Sequence, residues 1–160
     1  MTSFNVDMEQ TLKEFNNAVQ NGLPVHRGQI HKDVIVHADQ PDNIARFTYG
    51  ILMNEEIIAI AAFAQMDNYQ DLPCFNVGYA VKISERKKKQ GTNILKLALA
   101  ELKQGLKKVG IYQFYVEAGV ELDNISSQKI AESVLNVSPL KGIDPDSGLP
   151  TLGYMSKQFV

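Results

Sequence analysis

The chain has a single cysteine, Cys74, and no tryptophan in its 160 residues. One cysteine excludes an internal disulfide and fits a reducing compartment. With no conjugate disulfide partner and no histidine near it in sequence, Cys74 reads as a buried, inert thiol rather than a nucleophile. Long apolar runs are lacking too. The longest, Ile57 to Ala64, is far too short to span a bilayer. The opening MTSFNVDMEQ has no basic stretch followed by an apolar one, so no secretory signal is expected there. Together these predict a cytoplasmic protein with no membrane partner. Charge of either sign is not in excess: 16 Lys and Arg against 18 Asp and Glu give a net charge of −2, which argues against a general nucleic-acid binder. His26, His31 and His37 have no ligand-like spacing to an acidic partner, so no metal site is expected.

What the chain does have is an ordinary globular composition, 44% apolar and 21% charged, in a length that suits one domain over residues 1–160. Asp7 and Gln10 stand at capping-box spacing before Met8, Leu12, Phe15 and Val19, which predicts a helix stopped by Gly22 and Pro24. Strands are expected at 34–36, 45–53, 57–65, 75–81, 111–120 and 152–158. Asn54-Glu55-Glu56 predicts a hairpin, and the polar stretches 39–43 and 66–73 read as loops. Leu95, Leu99, Leu102 and Leu106 form one helical stripe ending at Gly110. Asn124 or Ser126 can cap a last helix carrying Ile130, Val134 and Leu135. Residues 144–148 make a turn.

The densest signal runs from Val77 to Leu99, an extended segment, then Arg86-Lys87-Lys88-Lys89-Gln90-Gly91, then a helix. Amides at a helix start, the positive end of its dipole, adjacent cations and a Gly that permits close approach all favour a phosphate-bearing ligand. Taken alone, a basic run is more often a solvated surface. Its place between a strand and an amphipathic helix points the other way.

Arg86 to Gly91 resembles the Arg/Gln-x-x-Gly-x-Gly/Ala signature of the GNAT superfamily of N-acetyltransferases, with Lys89 where the first Gly is usual. Asn124-Ile125-Ser126-Ser127 is similar to the Asn-x-x-Ala/Ser that starts the family's last helix. The resemblance covers about residues 44–135. It implies a single α/β domain with a mixed, mostly antiparallel central sheet and helices on both faces. It implies acetyl-CoA as co-substrate, an acetyl transfer to a primary amine by direct attack, and no metal.

In that scheme Arg86, Lys87, Lys88, Lys89, Gln90, Gly91 and Thr92 hold the pyrophosphate. The strand edge from Tyr79 through Val81 to Ile83 pairs with the pantetheine arm, and an amide near Val81 polarises the thioester carbonyl. Asn124 and Ser127 belong to the same site, although both residue types also favour helix starts on their own. Glu117, on a polar strand face, is the candidate base. The tyrosine that many members use as general acid falls at Ala131, which leaves Tyr154 or water for that proton. A non-catalytic acyl-CoA-binding or interaction protein on the same fold is the alternative. The acceptor amine, small molecule or protein, and a homodimer are left open by the sequence.

Overall fold

The computed structural model describes residues 7–145 and 147–160. Helix α1 (Met8–Gln20) begins where Asp7 accepts a hydrogen bond from the Gln10 N–H at 3.1 Å. A chain of strands follows: β1 (His26–Arg27), β2 (Val34–Asp39), β3 (Arg46–Met53), β4 (Glu56–Tyr69) and β5 (Leu72–Val81). Helix α2 (Gln90–Lys108), β6 (Gln113–Glu121), α3 (Ile125–Leu135), β7 (Leu140–Ile143) and β8 (Pro150–Phe159) complete it. The eight strands form one sheet in the order β1-β2-β3-β4-β5-β6-β8-β7. Every pairing is antiparallel except β5 with β6.

Two hydrophobic layers hold the sheet. Leu12 and Phe15 of α1 pack on Ile35, Ile57 and Ile60 at one face. Ile94, Leu95, Ala98, Leu99, Leu102 and Leu106 of α2, with Ala131 and Leu135 of α3, cover the other. Strand β4 is therefore covered on both sides, which is why Ile57 to Ala61 read as a continuous apolar run instead of alternating. The α/β class, the helices on both faces and the mostly antiparallel sheet are as the sequence predicts.

The segment 66–73 is not a loop. Strands β4 and β5 continue through it and meet at a two-residue turn, Gln70-Asp71, with φ of 51° and 62°. Asn54-Glu55 makes a similar turn with φ of 51° and 65°. The hairpin tip projects past the core, so its residues are polar and hide the strand pattern. Its Tyr69 packs edge-on against Tyr115 of β6 at 4.8 Å. Strand β7 is exposed along its whole length and left no burial pattern to find.

A buried carboxylate organises the opposite end of the sheet. Glu101 of α2 is 6% exposed. It accepts the backbone N–H groups of Gln29, Ile30 and His31 at 2.9, 2.8 and 2.9 Å. These three donors fix the turn between β1 and β2 onto α2. No spacing in the sequence announces this contact, because its partners are main-chain groups about seventy residues away.

Candidate active-site cleft

Strands β5 and β6 are paired only over Cys74–Asn76 and Tyr115–Glu117. Beyond that point they diverge. Main-chain groups alternate sides along a strand, and Lys82 donates to Ile58 on the β4 side at 2.8 Å. Val77, Tyr79 and Val81 therefore turn their N–H and C=O groups toward the gap. An extended ligand could pair with this edge as an added strand.

The gap is part of a cleft of about 1300 Å³, larger than an ordinary drug-sized pocket. One end is basic and lined by Arg86, Lys87, Lys89 and Lys129, with Gln90, Gly91 and Thr92 at the start of α2. The first N–H groups of α2 have no acceptor within the helix, since its ladder begins with the Asn93 N–H on Lys89 O at 3.0 Å. The other end is lined by Asp42, Arg46, Ala64 and Asn76.

Lys89 sits at the helix start with φ of 59°, and Lys87 has φ of 65°. The first of these is the position where the resembled signature has glycine, and a left-handed backbone is what glycine there serves. Gly91 serves another need. A Cβ on it would lie 2.5 Å from Ile130 Cδ1, so its missing side chain lets α3 close against α2. Asn124 accepts the Ser127 N–H at 3.2 Å, the capping contact expected of a helix start, and lines the cleft together with Ser127.

The structure brings Val81, Arg86, Lys87, Lys89, Gln90, Gly91, Thr92, Asn124 and Ser127 together on the cleft wall. Ile83 and Lys88 stand apart from it. Ile83 lies in a short turn past the end of β5 and is largely exposed, while Lys88 pairs with Glu85 at 3.0 Å. Glu117 is at the apex of the divergence, opposite Asn76, without itself lining the cleft. Burial pushes its carboxyl above the usual carboxylate range. The Cys74 thiol, buried nearby, is pushed up to about 11 by burial and then by Glu117, so it stays protonated at neutral pH.

Tyr154 is fully buried and off the cleft wall. Its hydroxyl donates to Glu132 Oε1 at 3.1 Å, and burial, then Glu132, push it up to about 12. Tyr79 lines the cleft instead and donates to the Ser127 carbonyl at 2.6 Å. Among residues that sequence reasoning missed are Lys129 and Asn76. Lys129 had a signal, lying one turn into a helix whose start was already suspected.

Arg86 is engaged before any ligand arrives. Its guanidinium pairs with Glu9 of α1 and donates from Nε to Val81 O at 3.3 Å. A phosphate at this end must compete with the Glu9 carboxylate. Glu9→Gln is therefore expected to tighten phosphate-ligand binding severalfold, measured as the dissociation constant of coenzyme A at low salt. An unchanged or weaker affinity would place the phosphate away from Arg86.

No family model matches the sequence, and no curated protein sequence does either. Solved structures do match in three dimensions. A GNAT-family acetyltransferase from Desulfovibrio desulfuricans superposes with a TM-score of 0.50 and 10% identity over 71% of this chain and 68% of that one. The chain has the GNAT acetyltransferase fold. A Vibrio cholerae and hSSAT chimera of spermidine N-acetyltransferase SpeG gives 0.50, at 8% identity over 71% and 67%. The ribosomal L7/L12 α-N-protein acetyltransferase RimL, in complex with coenzyme A, gives 0.49, at 14% identity over 72% of this chain. The chain spans 62% of the RimL chain's length. The divergence of β5 and β6 and the basic start of α2 lie in one continuous cleft of this chain.

Proposed function

We propose that the cleft binds acetyl-CoA and transfers its acetyl group to a primary amine. The observation that carries this is the unpaired edge of β5, leading from the apex at Asn76 to the basic start of α2. The pyrophosphate lies against the amides of Gln90 to Thr92, with Arg86, Lys87 and Lys89 around it. The pantetheine arm pairs with Val77 to Val81, and one of the cleft-facing amides there stabilises the oxyanion as it forms. The amine, once deprotonated, attacks the thioester carbonyl carbon. The tetrahedral species gives up its second nitrogen proton to water and collapses to the amide and the coenzyme thiolate, which water then protonates. A thiolate is a good leaving group and needs no strong acid, which suits a site with Ala131 in α3 and Tyr154 away from the cleft. Thiol release from acetyl-CoA, compared with and without a panel of primary amines, tests the reading. Amine-dependent release supports it, and release at the amine-free background contradicts it.

Glu117, through water, is the proposed base. Its raised pKa means the folded protein binds this proton more tightly than the unfolded chain does. Stability from this group is thus lost as pH rises through the range above the ordinary carboxylate value. The same rise in pH converts it to the basic form. Glu117→Gln is expected to lower turnover about a hundredfold, to flatten the pH–rate profile and to leave coenzyme affinity unchanged. A variant with the wild-type profile and rate would leave proton removal to water alone.

A second reading, a coenzyme-binding protein without turnover, is favoured by one observation. Neither Ala131 nor Tyr154 puts a hydroxyl on the cleft wall. Coenzyme binding without amine-dependent thiol release would select it.

A further inference from the structure

A second cavity, of about 440 Å³, lies between α1 and the end of β5. It shares Glu9, Val81 and Arg86 with the main cleft, so the Arg86–Glu9 ion pair belongs to the walls of both. Its size is at the small end of ligand sites. Leu12, Ile57, Val81 and Ile83 give it an apolar lining. Leu12 and Ile57 are core residues, whereas Ile83, on the short turn past β5, is 67% exposed. An apolar group laid against Ile83 and Val81 removes apolar surface from water.

The charges around this cavity do not cancel. Glu9 pairs with Arg86 and Glu56 with Lys82, and all four side chains line it. Lys13 lines it too, and none of the ion pairs among the described residues uses Lys13. Asn16 follows one turn later on the same side of α1. Its Oδ1 accepts the Ile57 N–H at 2.9 Å, which orients the amide. Its Nδ2 is left as a donor with no acceptor among the described residues. The cavity thus combines an apolar lining, one unbalanced cation and an oriented amide donor beside it. A carboxylate joined to an apolar body answers all three. An amine would be repelled by Lys13, and an alcohol would leave its charge unanswered.

We propose that this cavity is a regulatory site for a small amphipathic carboxylate. The carboxylate takes Lys13 and the Asn16 amide, and the hydrocarbon covers Val81 and Ile83. The bound anion stands on the α1 side of Arg86, and the coenzyme pyrophosphate stands on the other. Two anions flanking one cation oppose each other, so filling this site weakens coenzyme binding. The regulatory effect rests on the reading of the main cleft as a coenzyme site.

Octanoate, octan-1-ol and octylamine share a chain and differ in the head group. Binding of each to the whole protein is followed by NMR shifts of methyl and amide groups. Octanoate is expected to bind saturably, to shift Leu12, Ile57, Val81 and Ile83, and to bind about tenfold or more tighter than either analogue. Lys13→Gln keeps most of the side chain and removes the charge. It is expected to erase the preference over octan-1-ol with an unchanged melting temperature, because Lys13 is exposed. Ile83→Ser is expected to weaken octanoate severalfold and to keep the preference. At low salt, saturating octanoate is expected to raise the dissociation constant of coenzyme A severalfold in the wild type and not in Lys13→Gln. Coenzyme A is expected to weaken octanoate by the same factor. No octanoate binding, equal binding of the three compounds, shifts centred on Lys87 and Lys89, or a preference that survives in Lys13→Gln overturns the site. Octanoate in the cavity with coenzyme affinity unchanged overturns its regulatory role. Octanoate binding as expected in a protein that binds no coenzyme A would sink the acetyl-transfer reading and leave the carboxylate site standing.

Discussion

Reversing the charge of Lys87 and Lys89 together, Lys87→Glu with Lys89→Glu, is expected to weaken acetyl-CoA binding at least about a hundredfold. Both side chains are exposed and line the basic end of the cleft. A charge-assisted hydrogen bond to phosphate contributes roughly 1.5–3 kcal/mol, and a hundredfold change needs about 2.7 kcal/mol. Replacing attraction by repulsion at two positions exceeds that. The melting temperature of the free protein should barely move, because neither lysine packs in the core. The measurement is a thermal-shift titration of both proteins at low and high salt. Wild-type affinity in a folded double variant would remove the basic loop from the site. Gly91 is the wrong place for such a probe. A side chain there enters the contact with Ile130, so lost binding would be confounded with a damaged fold.

Glu101→Leu is expected to destabilise the protein by at least about 3 kcal/mol, since it strands the N–H groups of Gln29, Ile30 and His31 around an apolar side chain. For a chain of this size that is a fall in melting temperature on the order of 10 °C. Glu101→Gln should recover part of it. Its single carbonyl oxygen can still serve the Ile30 and His31 donors, while its amide faces the Gln29 N–H as a second donor. Chemical denaturation of both variants measures the difference. Equal stabilities for wild type and Glu101→Leu would show that the turn before β2 is held by other means.

These two variants also mark what the sequence makes legible. The basic loop was visible because its elements are local: a strand, four successive cations, a glycine and a leucine stripe fall within one stretch of chain. The fold class followed from the same kind of periodicity. The hairpin from Met66 to Pro73 was hidden because its strands leave the core and carry polar residues on both faces. The Glu101 clamp and the cavity beside Lys13 and Asn16 were hidden for a different reason. Each exists only through tertiary packing, and a lone Glu, Lys or Asn in a helix has no pattern to report. Tyr154 was misleading in the opposite sense. The sequence offered it, with water, as the acid in place of the tyrosine missing at Ala131, and the fold turns its hydroxyl onto Glu132 and away from the cleft.

The central claim is that the unpaired edge of β5 is the bed of the coenzyme. Amide hydrogen exchange, followed residue by residue with and without saturating acetyl-CoA, tests it most directly. The account predicts slowed exchange at Val77, Tyr79 and Val81, whose N–H groups face the gap, and at Gln90, Gly91 and Thr92 at the start of α2. Exchange unchanged along β5 at saturating acetyl-CoA, or protection confined to surfaces away from the divergence of β5 and β6, would contradict it.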